Sequence, residues 1–278
     1  MAGKIQSMYE DFFALKQKPF TIAANPAFLF LSRRHRDALS YLTYGIKERV
    51  GFIEITGEVG TGKTTVCRAL LNQLDERTKT AFIFNPNLSE VQLMQAILDD
   101  FGIKTEKKNK GTLFKELNRF LLDQLALDNN VVLIIDEAQN LSMRMLEQVR
   151  MLSNLEAENK KLLQIILVGQ PELRDKLKSP ELRQLRQRIS VRYHIQALEP
   201  EDVSLYIAHR LHHAGANGAG PLFDASAIEE IVRYSGGIPR LINIVCDKAL
   251  LLGYVLENRT INSDIIKQSI GEIEGGMA

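Results

Sequence analysis

The feature that most constrains this sequence is the segment GEVGTGKT at 57–64, which fits the pattern G-x-x-x-x-G-K-[ST] in full. The run GFIEIT at 51–56 precedes it with the composition of a short β-strand, and apolar residues at helical spacing follow it. A glycine-rich segment between a strand and a helix lets backbone N–H groups turn toward phosphate oxygens, beside the positive end of the helix dipole. The pattern therefore predicts a phosphate-binding loop in an α/β fold rather than a chance glycine-rich turn.

The same loop contains side chains suited to phosphate and metal. Lys63 is predicted to neutralise charge on the β- and γ-phosphate oxygens, and the Thr64 hydroxyl is predicted to bind Mg²⁺. We assign nucleotide binding to the loop and the start of the following helix, which are Gly57, Glu58, Val59, Gly60, Thr61, Gly62, Lys63, Thr64 and Thr65.

Two acidic residues, Asp136 and Glu137, follow the apolar run VVLII at 131–135. Such a run is typical of a parallel strand buried on both faces, and ligands of open α/β sheets bind at the carboxyl ends of the strands. We therefore assign Asp136, with Thr64, to Mg²⁺, and Glu137 to orienting and deprotonating an attacking water as general base. The alternative is that these two acids only cap a helix.

An arginine in the C-terminal part of the chain is a further candidate. Arg240 lies in GGIPRLIN, directly after Pro239, which suits the first turn of a helix. A cation at that end opposes the helix dipole, typically at a cost of about 0.3–1 kcal/mol. This placement favours a second purpose, such as reaching a γ-phosphate, although an ordinary surface arginine remains the alternative.

Less specific signals come from two other segments. The stretch ELRQLRQRI at 181–189 offers Arg188, or failing that Arg186, as an arginine that acts on the nucleotide of a neighbouring subunit; a solvated helix face or an ion-pair network is the alternative. Gln170 follows the strand-like run LLQIILVG at 162–169 and is predicted to contact the γ-phosphate or the attacking water. Its alternative role is to cap the helix that begins at Pro171.

The order of strand-like and helix-like segments predicts the organisation of the chain. Strands and helices alternate from 51 to 195, with helices expected at 143–158 and 171–188, which indicates a parallel sheet with helices on both faces. Beyond Glu199-Pro200 the pattern is helical throughout. We predict an N-terminal strap at 1–35, an α/β core at 36–198 and a helical domain at 199–278.

Charge and composition narrow the classes of function. The 35 Lys and Arg against 34 Asp and Glu give a net charge of +1, which disfavours a general attraction to DNA. A short basic run contains Lys104, Lys107, Lys108 and Lys110; it is expected to be a solvated loop, and contact with DNA is the alternative. Two distant cysteines, Cys67 and Cys246, favour a reducing compartment. With neither a signal-peptide pattern nor an apolar run of roughly 18–20 residues, we expect a cytoplasmic protein without a transmembrane segment.

Taken in order, these motifs resemble those of AAA+ ATPases. The order is phosphate loop, VVLIIDEAQ, a polar residue after the next strand, an arginine before the fifth strand, and GGIPR. More narrowly, the segments YEDFFALKQKPF, AFLFLSRRHRDALSYLTYGI and GFIEITGEVGTGKTTVCRALL are similar to those of the ExeA/GspA group of type II secretion ATPases and the related MshM-type pilus-biogenesis proteins.

The resemblance implies a P-loop AAA+ fold whose five parallel strands have the order 5-1-4-3-2, with a C-terminal all-helical lid. It implies ATP with Mg²⁺ as ligands, ATP hydrolysis, and assembly with other copies of the chain, for example in rings, where a neighbour's arginine completes the site. It also implies a partner in an envelope complex for secretion or pilus biogenesis. The same AAA+ branch includes regulators of DNA transposition, so a DNA-binding ATPase remains the alternative.

Overall fold

The computed structural model describes residues 9–22, 28–84, 86, 88–105, 109–157, 160–216 and 221–275. These residues form two compact units. One contains Arg33–Glu58 and Gly62–Ile195, and the other contains the described parts of 1–32, the short segment Val59–Thr61 and the described parts of 196–278. The predicted division at 35 and 198 remains a prediction.

The first unit is built on a parallel sheet of five strands. The strands are β1 (Phe52–Gly57), β2 (Thr78–Ile83), β3 (Asn130–Ile135), β4 (Gln164–Gly169) and β5 (Ile189–Ile195). Their order across the sheet is β2-β3-β4-β1-β5, which is the expected order 5-1-4-3-2 read from the other edge. The predicted α/β P-loop fold class is therefore confirmed.

Helices connect these strands, and several begin at side-chain caps. Ser89 forms a reciprocal capping box with Gln92, and Asn109 and Ser142 each accept a hydrogen bond from the N–H three residues ahead. The helices are α1 (Arg33–Lys47), α2 (Lys63–Leu71), α3 (Glu90–Asp100), α4 (Lys110–Ala126), α5 (Met143–Leu152), α6 (Pro171–Leu177) and α7 (Arg183–Arg188).

Two of the expected helices were wrong in extent. The helix expected at 143–158 ends at Leu152, and Glu156–Ala157 pairs with Lys160–Lys161 in a short antiparallel hairpin. The helix expected at 171–188 is interrupted, because Pro180 lacks a backbone N–H and the residue before a proline disfavours helical angles. Its second part, α7, carries the arginine-rich stretch.

The core of this unit explains why the strands are so apolar. All six residues of β1 and of β4 are buried, and the last five of β3 are buried as well. The acidic Glu54 of β1 is 2% exposed, and Arg192 of β5 reaches it with an Nε to Oε2 distance of 3.2 Å. The sheet thus places the buried ends of β1, β3 and β4 side by side.

The second unit is helical. Its helices are α8 (Pro200–His213), α9 (Ala225–Ser235), α10 (Pro239–Val255) and α11 (Ser263–Gly275). Aromatic residues of the N-terminal segment, including Tyr9, Phe13, Phe20 and Phe28, are buried in its core. Arg210 of α8 holds this segment by donating hydrogen bonds to the carbonyl oxygens of Pro19 and Thr21 at 2.6 and 3.1 Å.

None of the helices in the described part of the chain combines the length and the apolar character that a bilayer-spanning helix requires.

Candidate functional site

The phosphate loop connects β1 to α2, and its backbone needs glycine at two positions. Gly60 and Gly62 have φ of 84° and 94°, in the left-handed region that side chains disfavour. Gly62 is also the N-cap of α2 and has no side chain to cap the helix, and a Cβ there would lie 2.8 Å from Nε2 of His35. The N-terminus of α2 therefore lacks a capping side chain, as an anion-binding helix start requires.

Lys63 begins α2 and is 6% exposed. Its ammonium group donates hydrogen bonds to the carbonyl oxygens of Gly57 and Glu58 at 2.8 and 2.9 Å. Burial lowers the pKa of Lys63, while the carboxylates of Glu137 and Asp136 oppose that shift. The structure thus holds a cation inside the loop, where phosphate charge would replace the carbonyl partners.

Thr64 and Asp136 come together although 72 residues separate them in the sequence. The Thr64 hydroxyl donates to Oδ2 of Asp136 at 2.6 Å, and the backbone N–H of Glu137 donates to Oδ1 at 2.9 Å. Asp136 is fully buried, and this burial raises its pKa. A hydroxyl and a carboxylate are hard oxygen ligands of the kind that Mg²⁺ prefers, and Mg²⁺ is typically held by only one or two carboxylates plus phosphates.

No group of three or more His, Cys, Asp or Glu side chains suited to a metal occurs among the described residues.

Glu137 is placed by an unusual backbone conformation and by two amide side chains. Its φ is 53°, and it precedes a 3₁₀ turn, Ala138–Asn140, without capping it through its side chain. Its Oε2 accepts hydrogen bonds from Nε2 of Gln139 at 2.5 Å and from Nε2 of Gln170 at 3.1 Å. Gln170 occupies the N-cap position of α6, but its side chain makes no capping hydrogen bond. The alternative role for Gln170, capping the helix that begins at Pro171, is therefore not observed.

Gln139 is a residue of the candidate site that was not predicted from the sequence. The available signal was its place in VVLIIDEAQ, two residues after Glu137 in the turn that follows a buried strand. Strand ends of this sheet carry the polar side chains, so a polar residue in that turn was a candidate by position.

The two arginines of α7 are engaged within their own chain. The Arg188 guanidinium donates to Oγ of Ser153 at 2.8 Å, and that of Arg186 donates to the carbonyl oxygen of Lys178 at 3.1 Å. Arg192 fixes the end of the same helix, because it donates to the carbonyl oxygen of Arg186 at 2.5 Å while also pairing with Glu54. In the described part of the chain, no hydrogen bond joins Arg186 or Arg188 to Asp136 or Glu137.

Arg240 lies in the helical unit, in the first turn of α10, beside the loop segment that belongs to that unit. Its backbone N–H faces the carbonyl oxygen of Gly60 at 3.4 Å. A Cβ at Gly60 would lie 2.5 Å from Cβ of Arg240 and 3.2 Å from Cγ2 of Ile238. The Arg240 side chain itself is exposed.

Comparison with known proteins finds relatives in sequence. A family model described as an AAA domain matches residues 46–177. The chain is 45% identical over 269 residues to general secretion pathway protein A of Aeromonas hydrophila, an alignment that covers 96% of this chain and 49% of that protein. The chain therefore spans about half the length of this relative, and the resemblance to the ExeA/GspA group is confirmed.

Solved structures with the same fold are more distant in sequence. Drosophila ORC bound to DNA matches with a TM-score of 0.71 at 16% identity, covering 98% of this chain and 67% of that one. The Aeropyrum pernix ORC2 protein matches with a TM-score of 0.67 at 15% identity, covering 92% and 72%. The Thermotoga maritima RuvB branch migration motor matches with a TM-score of 0.58 at 18% identity, covering 88% and 70%. These likenesses show the AAA+ fold.

Proposed function

We propose that this chain binds ATP at its phosphate loop and hydrolyses it to ADP and phosphate. The observation that carries the proposal is the 2.6 Å hydrogen bond between Thr64 and Asp136. It joins the start of α2, next to Lys63, to the end of β3, next to Glu137. The cation, the pair proposed to hold Mg²⁺ and the proposed general base are therefore brought together.

ATP would be held through the phosphates. The backbone N–H groups of the loop and of the α2 N-terminus donate to phosphate oxygens, and Lys63 exchanges its carbonyl partners for the β- and γ-phosphates. Thr64 and Asp136 are the residues that would hold Mg²⁺, which when bound neutralises charge that develops on the phosphate oxygens. Asp136 suits this because its second oxygen already has a backbone partner in Glu137, which fixes the direction of the carboxylate.

Glu137 is proposed as the general base. Its carboxylate can orient a water molecule and take the proton as that water attacks the γ-phosphorus. Gln170 is proposed to contact the γ-phosphate or the same water through its amide. The support is that Gln170 already reaches Oε2 of Glu137 rather than capping its own helix.

The arginines have proposed roles at the γ-phosphate. Arg240 is proposed to act on the nucleotide of its own subunit, supported by the contact between its backbone and Gly60 in the loop. Arg188, with Arg186 as the substitute, is proposed to act on the nucleotide of a neighbouring copy. α7 leads into the edge strand β5, where a second copy can approach, and Arg188 would have to leave Ser153 to do so.

The biological setting is proposed from the similarity to general secretion pathway protein A. We propose that nucleotide state controls assembly of several copies, as a ring or a related oligomer, and contact with a protein of an envelope complex in secretion or pilus biogenesis. A cytoplasmic position for this part of the protein is also proposed, supported by two cysteines that are buried and free.

A DNA-binding function is not proposed. The likeness to ORC bound to DNA rests on 16% identity and extends to the fold alone. Lys110, from the basic run considered above, pairs with Glu90 at 2.9 Å. Lys107 and Lys108 of that run lie outside the described residues.

The proposed function is tested by phosphate release from ATP with purified protein and Mg²⁺. Lys63→Ala should lose nucleotide binding, and Glu137→Gln should bind ATP but lose roughly 10²–10⁴-fold in hydrolysis. Gln268→Glu on the exposed face of α11 is a matched control for a single acid–amide change and should behave as wild type. Wild-type turnover in Glu137→Gln would show that the base is wrongly assigned.

A further inference from the structure

We propose that Gln139 is a positioning residue, which orients the Glu137 carboxylate and keeps it oriented when Gln170 turns toward the nucleotide. This inference rests on the proposed function, because it concerns how the proposed base is held. Its carrying observation is that Gln139 bridges two polar groups that come from different strand ends, Glu137 after β3 and Gln170 after β4.

The hydrogen bonds of Gln139 fix which way its amide faces. The backbone N–H of Gln170 can only donate, and it lies 3.1 Å from the side-chain oxygen of Gln139. The NH₂ group must therefore face Glu137, where it lies 2.5 Å from Oε2. A hydrogen bond to a carboxylate is charge-assisted and roughly twice as strong as a neutral one.

The turn that carries Gln139 is itself anchored. The Lys176 ammonium on α6 donates to the carbonyl oxygens of Gln139 and Leu141 at 2.5 and 2.8 Å. This anchor holds a turn whose first residue, Glu137, is in the left-handed region, a conformation that persists only where surrounding contacts impose it. Lys176 of α6 thus holds the backbone of the turn that carries the Gln139 side chain.

The end of β4 leaves room for the same amide. A Cβ at Gly169 would lie 2.9 Å from the side-chain oxygen of Gln139 and 2.8 Å from Cδ2 of Leu173. Any side chain at Gly169 would therefore compete with Gln139 for its place. The absence of a side chain at Gly169 thus leaves space for the Gln139 amide between the ends of β3 and β4.

The two amides that donate to Oε2 of Glu137, those of Gln139 and Gln170, therefore have different roles. Gln170 is proposed to contact the γ-phosphate, and if its side chain turns away from Glu137 to do so, its hydrogen bond to Oε2 is lost. Gln139 has its oxygen on a backbone N–H, which does not move with the Gln170 side chain, so its NH₂ group stays on the carboxylate. Gln139 should therefore matter for the rate of hydrolysis and not for nucleotide binding.

The test uses Gln139→Met and Gln139→Glu. Methionine has a similar length and no amide, whereas glutamate keeps an acceptor for the Gln170 N–H but puts a second carboxylate against Glu137. Because misplacing a reacting group by an ångström can cost about 10²-fold in rate, we expect kcat to fall roughly 10–10²-fold in Gln139→Met and further in Gln139→Glu. The affinity for a non-hydrolysable ATP analogue should stay at the wild-type value. Gln268→Glu serves again as the control.

A second arm asks whether Gln139 acts through Glu137. When Gln139→Met is combined with Glu137→Gln, turnover should fall no further than in Glu137→Gln alone, because the group being positioned is already gone. An unchanged kcat in Gln139→Met, an added loss in the double variant, or a loss of analogue binding in both Gln139 variants would each overturn the proposal. Wild-type turnover in Glu137→Gln would instead overturn the assignment of the base, and the positioning role with it.

Discussion

Replacing Gly60 by alanine tests whether the phosphate loop and the first turn of α10 depend on each other's shape. Gly60 has a φ of 84°, where an L-residue costs about 1–2 kcal/mol. The added methyl group would also lie 2.5 Å from Cβ of Arg240. Carbon atoms pack at about 3.5–4.0 Å, and a Cβ cannot rotate away, so the loop or α10 has to move by about 1 Å.

The magnitude follows from these two effects and from one that opposes them. Crowding of this kind typically costs about 1–3 kcal/mol, and the strained φ adds to it, while the loss of a glycine from the unfolded chain returns about 0.4–1 kcal/mol. The net cost is roughly 1–4 kcal/mol, and it falls on the loop proposed to bind phosphate. Since about 1.4 kcal/mol is a tenfold change in an equilibrium constant, nucleotide affinity should fall by about fivefold or more.

Gly102 provides the matched control. Its φ of 76° is similar, but a Cβ there would meet no atom within 4 Å. Gly102→Ala therefore carries the backbone strain without the crowding and lies outside the loop. Titration with a fluorescent nucleotide, together with thermal unfolding of both variants, separates the two costs. Wild-type affinity in Gly60→Ala, or an equal loss of affinity in Gly102→Ala, would refute the reasoning.

Three further predictions concern assembly, the neighbouring subunit and pH. ATP with Mg²⁺ should shift the sedimentation velocity profile toward a larger species, because an arginine from a neighbouring copy gains a charge-assisted contact only when a γ-phosphate is present. Identical profiles without nucleotide, with ADP and with a non-hydrolysable ATP analogue would contradict this coupling. Mixing inactive Arg188→Ala with inactive Lys63→Ala should restore part of the ATPase activity, and no recovery in confirmed mixed oligomers would move the assignment to Arg186. Burial raises the pKa of Glu54, while Arg192 opposes the shift. The Glu54 carboxyl therefore binds its proton more tightly in the folded chain than in the unfolded chain, and the folded chain loses stability as the pH rises above about 4.5. Thermal unfolding of Glu54→Gln should show a smaller loss over that range, and an unchanged loss would contradict the assignment.

The sequence predicted those parts of the site that depend on local patterns. The loop at 57–64 and the acids after 131–135 were recognisable because each needs particular residue types at a fixed place relative to a strand. The strand order came from the family resemblance, since nothing in the apolar pattern of VVLII states which strand lies next to it. The structure then placed Thr64 and Asp136 within hydrogen-bond distance.

What the sequence could not supply were contacts between distant side chains and the ends of helices. The segment EAENKK after α5 contains several residues of high helix propensity, yet Glu156–Ala157 pairs with Lys160–Lys161 in a short hairpin, because helix propensity is only a weak preference. Gln139 has no distinguishing pattern of its own, and its role depends on Gln170 lying opposite it at the end of β4. The bond from Arg188 to Ser153 is likewise visible only once α5 and α7 are packed together.

The central claim is that Lys63, Thr64 and Asp136 hold ATP while Glu137 activates the water that cleaves it. The most direct measurement is the identity of the nucleotide that remains bound after each protein is incubated with labelled ATP and Mg²⁺, separated from free nucleotide and quenched in acid. We predict ADP on the wild-type protein, ATP on Glu137→Gln and no nucleotide on Lys63→Ala. ADP on Glu137→Gln at the wild-type rate, or ATP retained by Lys63→Ala, would contradict the account.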